Sequence, residues 1–261
     1  MLKKRIIGVV TVLNGWAVQS IGYRKYLPLG RPNIIAENLD RWGVDEIMII
    51  SIDRTINKLG PDKETLDLLN NKSLSTPICY GGGIRTLRDA VFVINNGAER
   101  LLLDSIIEKN SINEILKISE KLGSQSLIAS LPLKVNNDKI HFINYKNINK
   151  YKDERMIHDL LNNSVFSEAL IIDLENEGIP QSFNKELIKT FNISIPTIAF
   201  GGISDSHQAS DILKDKKVSA VAIGNFLNYK EHSVQKIKDN IKLNFLRKSK
   251  YKKVISKYKG S

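Results

Sequence analysis

The chain carries one cysteine, Cys79, among its 261 residues. A lone thiol excludes an internal disulfide and any metal site built on clustered cysteines. Cys79 stands inside an apolar run, which reads as a buried, inert thiol rather than a nucleophile. Histidine is scarce as well. His141, His158, His207 and His232 are scattered, none is paired at ligand spacing, and no metal or other cofactor is expected. No apolar run approaches the roughly 20 residues of a membrane-spanning helix. The stretch "MLKKRIIGVVTVLNG" turns from basic to apolar, but its apolar part is short and lacks a small-residue cleavage site. A first β-strand is expected there instead of a signal segment. A cytoplasmic protein fits these absences.

Linkers rich in proline, glycine or serine are also missing. One domain is therefore expected over 1–245, followed by a basic tail over 246–261. That tail, "LRKSKYKKVISKYKGS", holds no acid and supplies much of the formal net charge of +11. Its plain reading is a solvated extension, and an anionic partner is the sharper one. Clusters of aromatic and basic residues that stack nucleobases are absent, so nucleic-acid binding is not expected.

What is present is a regular alternation. Eight short apolar runs recur: "RIIGVVTV" (5–12), "EIMIISI" (46–52), "PICYGGG" (77–83), "RLLLDS" (100–105), "SLIASLPL" (126–133), "EALIIDL" (168–174), "PTIAFGG" (196–202) and "AVAIGN" (220–225). Most are continuous rather than alternating, as in parallel strands covered on both faces. Helical patterns lie between them. "NIIAENLDRWG" and "TLRDAVFVINNG" each end at a glycine, and "SINEILKISEKLG" opens with Ser111 and Glu114 at capping-box spacing. Asp205 is a candidate N-cap after the glycines at 201–202. About eight βα units in this length predict a (β/α)8 (TIM) barrel. A doubly wound open sheet is the alternative. "KVNNDKIHFINYKN" reads as a hairpin turning at Asn136–Asn137, and the long first βα loop with Trp16 and Tyr23 as a lid or a disordered segment.

The runs "PICYGGG" and "PTIAFGG" repeat one design, an apolar strand, a glycine cluster and a helix start. Each is followed by a strand ending in small polar residues, Asp104–Ser105 and Gly224–Asn225. A two-fold half-barrel repeat is expected. In such a barrel the strands' C-terminal ends form the active face. Glycine turns there expose backbone amides that bind phosphate. Two cradles in symmetric register suit a substrate with a phosphate at each end. Glycines that merely end strands tightly are the plain alternative, and His207 could touch an anion or simply be solvated.

With "KRII", "GVDEIMIISI", "GGGIRT", "NNGAERLLLDS", "GSQSLIASL", "IPTIAFGGI" and "AVAIGNFLNYKE" in hand, the chain resembles the cyclase subunit of imidazole glycerol phosphate synthase over roughly residues 2–235. That resemblance implies a two-phosphate barrel that docks a glutaminase on its bottom face and receives ammonia through it. It implies phosphate binding at Gly82, Gly83, Asp104, Ser105, Gly178, Gly202, Gly224 and Asn225, with Asp104 the uncomfortable member because a carboxylate repels phosphate. It implies an ammonia gate at Arg5, Glu46, Arg100 and Glu168, or a plug that only closes the barrel's base. Glu99, beside the gate, is placed to reach the partner.

The same resemblance puts the acid–base aspartates at Thr11 and Pro132, neither of which can shuttle a proton. No carboxylate occurs in 6–20 or 124–137, so a slip of register does not restore them. The expected lysine falls on Gln19, and the expected strand-two aspartate on Ser51 near Asp53. The leading expectation is a divergent ammonia-channelling subunit, in a setting such as amidation of surface sugars. One alternative is a working synthase of histidine biosynthesis in which Asp53, Asp104, Asp173, Glu175 or Glu177 substitutes. Another is a non-catalytic assembly subunit.

Overall fold

The computed structural model describes residues 3–107, 111–136, 139–144, 147–151, 154–191, 193–228, 232–241 and 246–248. Twelve strands form one connected system. Eight of them, all mutually parallel, close into a barrel: β1 (Arg5–Leu13), β4 (Glu46–Ser51), β5 (Ile78–Gly81), β6 (Arg100–Leu103), β7 (Leu127–Asn136), β10 (Glu168–Asp173), β11 (Thr197–Phe200) and β12 (Val218–Ile223). β12 pairs with β1, and β7 pairs with β10 from Glu168↔Ile128 to Asp173↔Leu133, which leaves no open edge. Each of the eight apolar runs supplies one of these strands, and the (β/α)8 barrel replaces the open-sheet alternative.

Helices cover the outside, and their ends follow local chemistry. α1 (Pro32–Trp42) begins with proline, whose missing N–H costs nothing in a first turn. It stops at Gly43, which takes the left-handed conformation (φ 79°) and donates its N–H back to Leu39 and Asp40. α4 (Leu87–Asn95) has a complete capping box between Thr86 and Asp89. α8 (Ser206–Leu213) is capped by Asp205, which accepts from the His207 and Gln208 amides. At α5 (Ile112–Leu122) the expected box does not form: Ser111 makes no side-chain cap, and Glu114 instead accepts the Leu87 amide of the neighbouring helix at 2.7 Å.

The internal repeat is visible in the backbone. Gly82 and Gly83 have φ of 127° and 72°, and Gly201 and Gly202 have 105° and 71°. A Cβ on Gly82 would strike the Ser51 carbonyl oxygen at the end of β4, and a Cβ on Gly201 would strike that of Asp173 at the end of β10. Glycine is required at matching places in both halves because the turn lies flat against the neighbouring strand's end.

The apolar core lies in two shells. One packs helices against the barrel's outer wall. The other fills the lumen with Ile7, Val9, Met48, Cys79, Leu170, Phe200 and their neighbours. The residues of β1 that face the lumen are therefore Arg5, Ile7, Val9 and Thr11, since side chains alternate along a strand.

Two hairpins are added. β7 continues past the barrel and pairs antiparallel with β8 (Lys139–Asn144) from Leu133↔Phe142 to Asn136↔Lys139, and β9 (Asn147–Tyr151) follows. The turn read at Asn136–Asn137 falls partly outside the described residues. The first βα loop differs from its reading as a loop. It folds as β2 (Trp16–Ile21) and β3 (Lys25–Gly30), with Thr11↔Val18 and Val12↔Ala17 extending β1. The turn before β2 is Asn14–Gly15, both at positive φ (50° and 76°), the pair most suited to a two-residue hairpin. Residues 249–261 of the basic tail lie outside the described residues. Among the described residues no helix is long and apolar enough to cross a membrane.

Candidate functional site

At the base of the barrel the first residues of β1, β4, β6 and β10 point inward and meet. Arg5 Nη1 donates to Glu46 Oε2 at 2.7 Å, and Arg5 Nη2 donates to Glu168 Oε1. Arg100 Nη1 reaches Glu168 Oε2 at 2.6 Å and Glu46 Oε1 at 3.4 Å. Each cation thus touches both anions, and the four side chains form a closed ring across the lumen. Two serines absent from the sequence reading complete it. Ser219 donates to Glu168 Oε1, and Ser167 accepts from Arg100 Nη2 at 3.0 Å.

The carboxylates of the ring are buried, with side-chain exposure of 3% at Glu46 and 10% at Glu168, and the two guanidiniums are half-buried. Burial lifts the Glu46 carboxyl above its usual range, against the pull of Arg5 and Arg100. Burial presses Glu168 the same way, but Arg5, Arg100 and the Ser219 hydroxyl outweigh it and its carboxyl lies below the usual range. Among the described residues, Arg100 Nε has no hydrogen-bond partner in its buried position. Directly above the ring lies Cys79, fully buried, its thiol pushed well up by desolvation and then by Glu46. It is the inert thiol expected.

At the opposite end two cavities open, one in each half. The first, of about 660 Å³, is lined by Gly81 and Gly82, by Asp104, Ser130 and Thr55, and by Tyr23 and Arg24 of the hairpin. Its remaining walls are apolar, with Ile50, Leu102 and Leu174 among them. The second, also about 660 Å³, is lined by Gly178, Gly201, Gly202, Ser204, Gly224 and Asn225, with Gln19 and Glu177 at its edge. Of the eight residues read as phosphate-binding, Gly82 and Asp104 line the first cavity, and Gly178, Gly202, Gly224 and Asn225 line the second.

Gly83 and Ser105 line neither cavity. Gly83 is turned toward the segment after β4: its amide donates to Thr55 Oγ1 at 3.4 Å, and a Cβ there would meet the Gly60 carbonyl. Gly178 also serves packing, since a Cβ there would come within 2.5 Å of the Ser20 carbonyl oxygen. His207 is exposed and lies outside both cavities.

Thr11 faces the mouth by strand parity and is buried, as is Pro132 opposite Ile172 of β10. Of the carboxylates read as substitutes, Asp173, Glu175 and Glu177 are engaged elsewhere. Asp173 accepts from Asn176 Nδ2 at 2.8 Å and from the Asn184 amide at 2.7 Å, holding the loop after β10. Glu175 pairs with Lys134 at 2.5 Å. Glu177 accepts from Ser20 Oγ at 3.0 Å and the Tyr23 amide at 3.2 Å, so it ties the hairpin to the mouth. Asp53 is buried in the first turn of α2 (Ile52–Ile56) and lines neither cavity. Among the described residues, Asp104 alone puts a carboxylate into the first cavity.

A family profile described as "Histidine biosynthesis protein" matches residues 5–233, which takes in the ring, both cavities and all eight barrel strands. The chain belongs to this family. Among curated relatives it is 31% identical to the imidazole glycerol phosphate synthase subunit HisF of Campylobacter concisus, over 92% of this chain and 96% of that protein. It is 28% identical to the subunit of the same name from Staphylococcus saprophyticus, over 93% and 97%. With the Sulfurisphaera tokodaii subunit it shares 29% over 82% and 86%. Within the histidine biosynthesis family the chain is thus a divergent, HisF-like homologue of the cyclase subunit, as the sequence resemblance implied. At its base the four charged residues meet, while positions 11 and 132 lack a carboxylate.

Proposed function

We propose that this chain docks a glutaminase against the base of its barrel and conducts ammonia through the charged ring into the lumen. The ammonia meets a phosphorylated small molecule held at the mouth, or passes on to an acceptor protein, with amidation of a sugar the setting. The observation that carries the reading is the contrast between the two ends. The base keeps two buried carboxylates and two half-buried guanidiniums in mutual contact, while the mouth has threonine and proline where acid–base chemistry is expected.

Stability alone does not account for such a ring. Apolar side chains of similar volume would close the barrel's base at least as well, because desolvation of buried charge offsets much of the Coulomb attraction. Arg100 Nε adds the cost of an unsatisfied donor, about 1–3 kcal/mol. A small neutral molecule can pass when one guanidinium swings aside, and the apolar lumen above the ring excludes ions. The glycine-lined second cavity suits a phosphate, and the first, with Asp104 and apolar walls, suits a less charged moiety.

The test mixes the purified chain with a glutaminase subunit of imidazole glycerol phosphate synthase and follows glutamine hydrolysis. Complex formation and stimulated hydrolysis are expected. Arg5→Ala opens the ring, so the complex should persist while ammonia escapes before reaching the mouth. No complex and no stimulation would remove the proposal. A histidine-requiring strain lacking its own cyclase subunit should not grow on this chain. Growth would instead favour a working synthase.

A further inference from the structure

We infer that the first cavity receives the hydroxyl-bearing, unphosphorylated end of the ligand and rejects a second phosphate, so that the molecule held at the mouth is a sugar monophosphate. This rests on the reading of a phosphorylated ligand at the mouth and names its class.

The two halves of the repeat differ where they should match. Gly82–Gly83 corresponds to Gly201–Gly202, and Asp104–Ser105 after β6 corresponds to Gly224–Asn225 after β12. In the second half Gly201, Gly202 and Gly224 all line the cavity, and no acceptor among the described residues meets the Gly202 amide. Peptide N–H groups left open in such a turn suit an anion. Glu177 borders this cavity, but its carboxylate is turned to the hairpin, where it accepts from Ser20 Oγ at 3.0 Å and the Tyr23 amide at 3.2 Å.

In the first half both places have changed. The Gly83 amide, counterpart of that of Gly202, donates to Thr55 Oγ1 at 3.4 Å. Asp104 lines the cavity at the position that Gly224 holds in the second. A carboxylate there repels a phosphate, and a repulsive group is one way a site discriminates against a close analogue. Arg24 also lines this cavity, but it is exposed in the turn between β2 and β3, where solvent screens its charge.

What remains suits hydroxyl groups. A carboxylate accepts hydrogen bonds from hydroxyls more strongly than a neutral acceptor does. Ser130 and Thr55 add hydroxyls of their own, able to donate and accept. Ser130 is buried and follows Ile128 of the lumen at the next inward position of β7. Ile50, Leu102 and Leu174 offer apolar wall to the C–H faces of a sugar, and the volume of about 660 Å³ accommodates one. A single molecule can reach both cavities because the same hairpin walls them: Gln19 and Ile21 line the second, Gly22 and Tyr23 the first.

The experiment is calorimetry on the purified full chain with three probes: ribulose monophosphate, ribulose bisphosphate and inorganic phosphate. The monophosphate should bind on the order of tenfold more tightly than the bisphosphate, and inorganic phosphate should fill one site per chain. Asp104→Asn should raise affinity for the bisphosphate on the order of tenfold. Gly224→Asp puts a carboxylate at the matching place in the second half and should abolish binding of the monophosphate. Gly224 is not at positive φ, and an added Cβ meets Phe200 and Val9 at ordinary distances of 3.7 and 3.8 Å, so the turn accepts the side chain. Bisphosphate bound as tightly as monophosphate by the unaltered chain, or two inorganic phosphates per chain, overturns the inference. Binding of inorganic phosphate alone overturns the sugar, and monophosphate binding that survives Gly224→Asp overturns the placement. Failure of all three probes to bind removes a phosphorylated ligand from the mouth, and this inference with it. The docking reading is judged separately, by stimulated glutamine hydrolysis in the partner.

Discussion

Asn225 holds Ser20 by both ends of its side-chain amide. Its Oδ1 accepts the Ser20 N–H at 3.2 Å, and its Nδ2 donates to the Ser20 carbonyl at 2.6 Å. Asn225 sits just after β12 and Ser20 in the hairpin strand β2, so the contact clips the hairpin to the second cavity. The side chain read from the sequence as part of an anion cradle is occupied by the backbone. Only its main chain is left to serve a ligand.

Removing that clip should loosen the hairpin without unfolding the barrel. Two hydrogen bonds with a net value of about 1 kcal/mol each are lost in Asn225→Ala. Local opening should become on the order of thirtyfold more frequent. Hydrogen exchange over Trp16–Ile21 and Lys25–Gly30 should accelerate accordingly, with the barrel strands β4 and β5 unchanged. Unchanged exchange in the hairpin would mean that strand pairing and the Glu177 tie suffice to hold β2.

Glu177 provides the second tie, and it makes the hairpin sensitive to pH. Burial raises its carboxyl above the usual range, although Ser20 and the Tyr23 and Gly22 amides pull it down. A carboxyl with a raised folded-state value binds its proton more tightly when folded. Its contribution to stability is therefore fully present below the unfolded value, near pH 4.3, and is lost as pH rises through the folded value. Glu177→Gln cannot titrate. The melting temperature of the unaltered chain relative to this variant should therefore be higher near pH 4 than near pH 8. Thermal melts across that range check the sign, and the opposite trend would mean that the hydrogen bonds to the carboxylate outweigh its desolvation.

Much of the fold was legible because parallel barrel strands are continuous apolar runs, and those survive any reading of the loops. Arg5, Glu46, Arg100 and Glu168 were legible through family resemblance alone. Arg5 and Glu168 are separated by most of the chain, and only closure of the barrel brings them into contact. Ser167 and Ser219 carried no signal, because a serine at a strand start is ordinary. The hairpin was missed although Asn14–Gly15 and the alternation in "WAVQSI" were there to see. Length and polarity argued for a loop, while pairing with the end of β1 decided for strands. Ser111 and Glu114 had the right spacing for a capping box, but Glu114 found a better donor in Leu87, a tertiary contact that spacing cannot reveal. The split of the glycines between ligand cavities and chain packing was equally hidden, since Gly82 and Gly83 look alike in sequence.

The mouth of the barrel allows a direct test of the residues at positions 11 and 132. Thr11 faces the lumen end of β1, above Arg5, Ile7 and Val9 in the same alternation, and Pro132 lies in β7 opposite Ile172. A proline inside a barrel strand gives up a ladder hydrogen bond. It falls in the gap between the last pairing of β7 with β6, Leu103↔Ala129, and its first with β8, Leu133↔Phe142, where the cost is small. Thr11→Asp with Pro132→Asp puts carboxylates at both family positions and returns the missing N–H. If absent acid–base groups are what separates this chain from a cyclase, the double variant should turn over a ribulosyl nucleotide with ammonium salt faster than the parent. Each group should contribute roughly 10²–10⁴-fold. Supplying ammonium directly makes the assay independent of any glutaminase. A folded double variant no faster than its parent would shift the cause to the first cavity, where Asp104 opposes a second phosphate, and Asp104→Asn added to the pair would then be the change that releases activity.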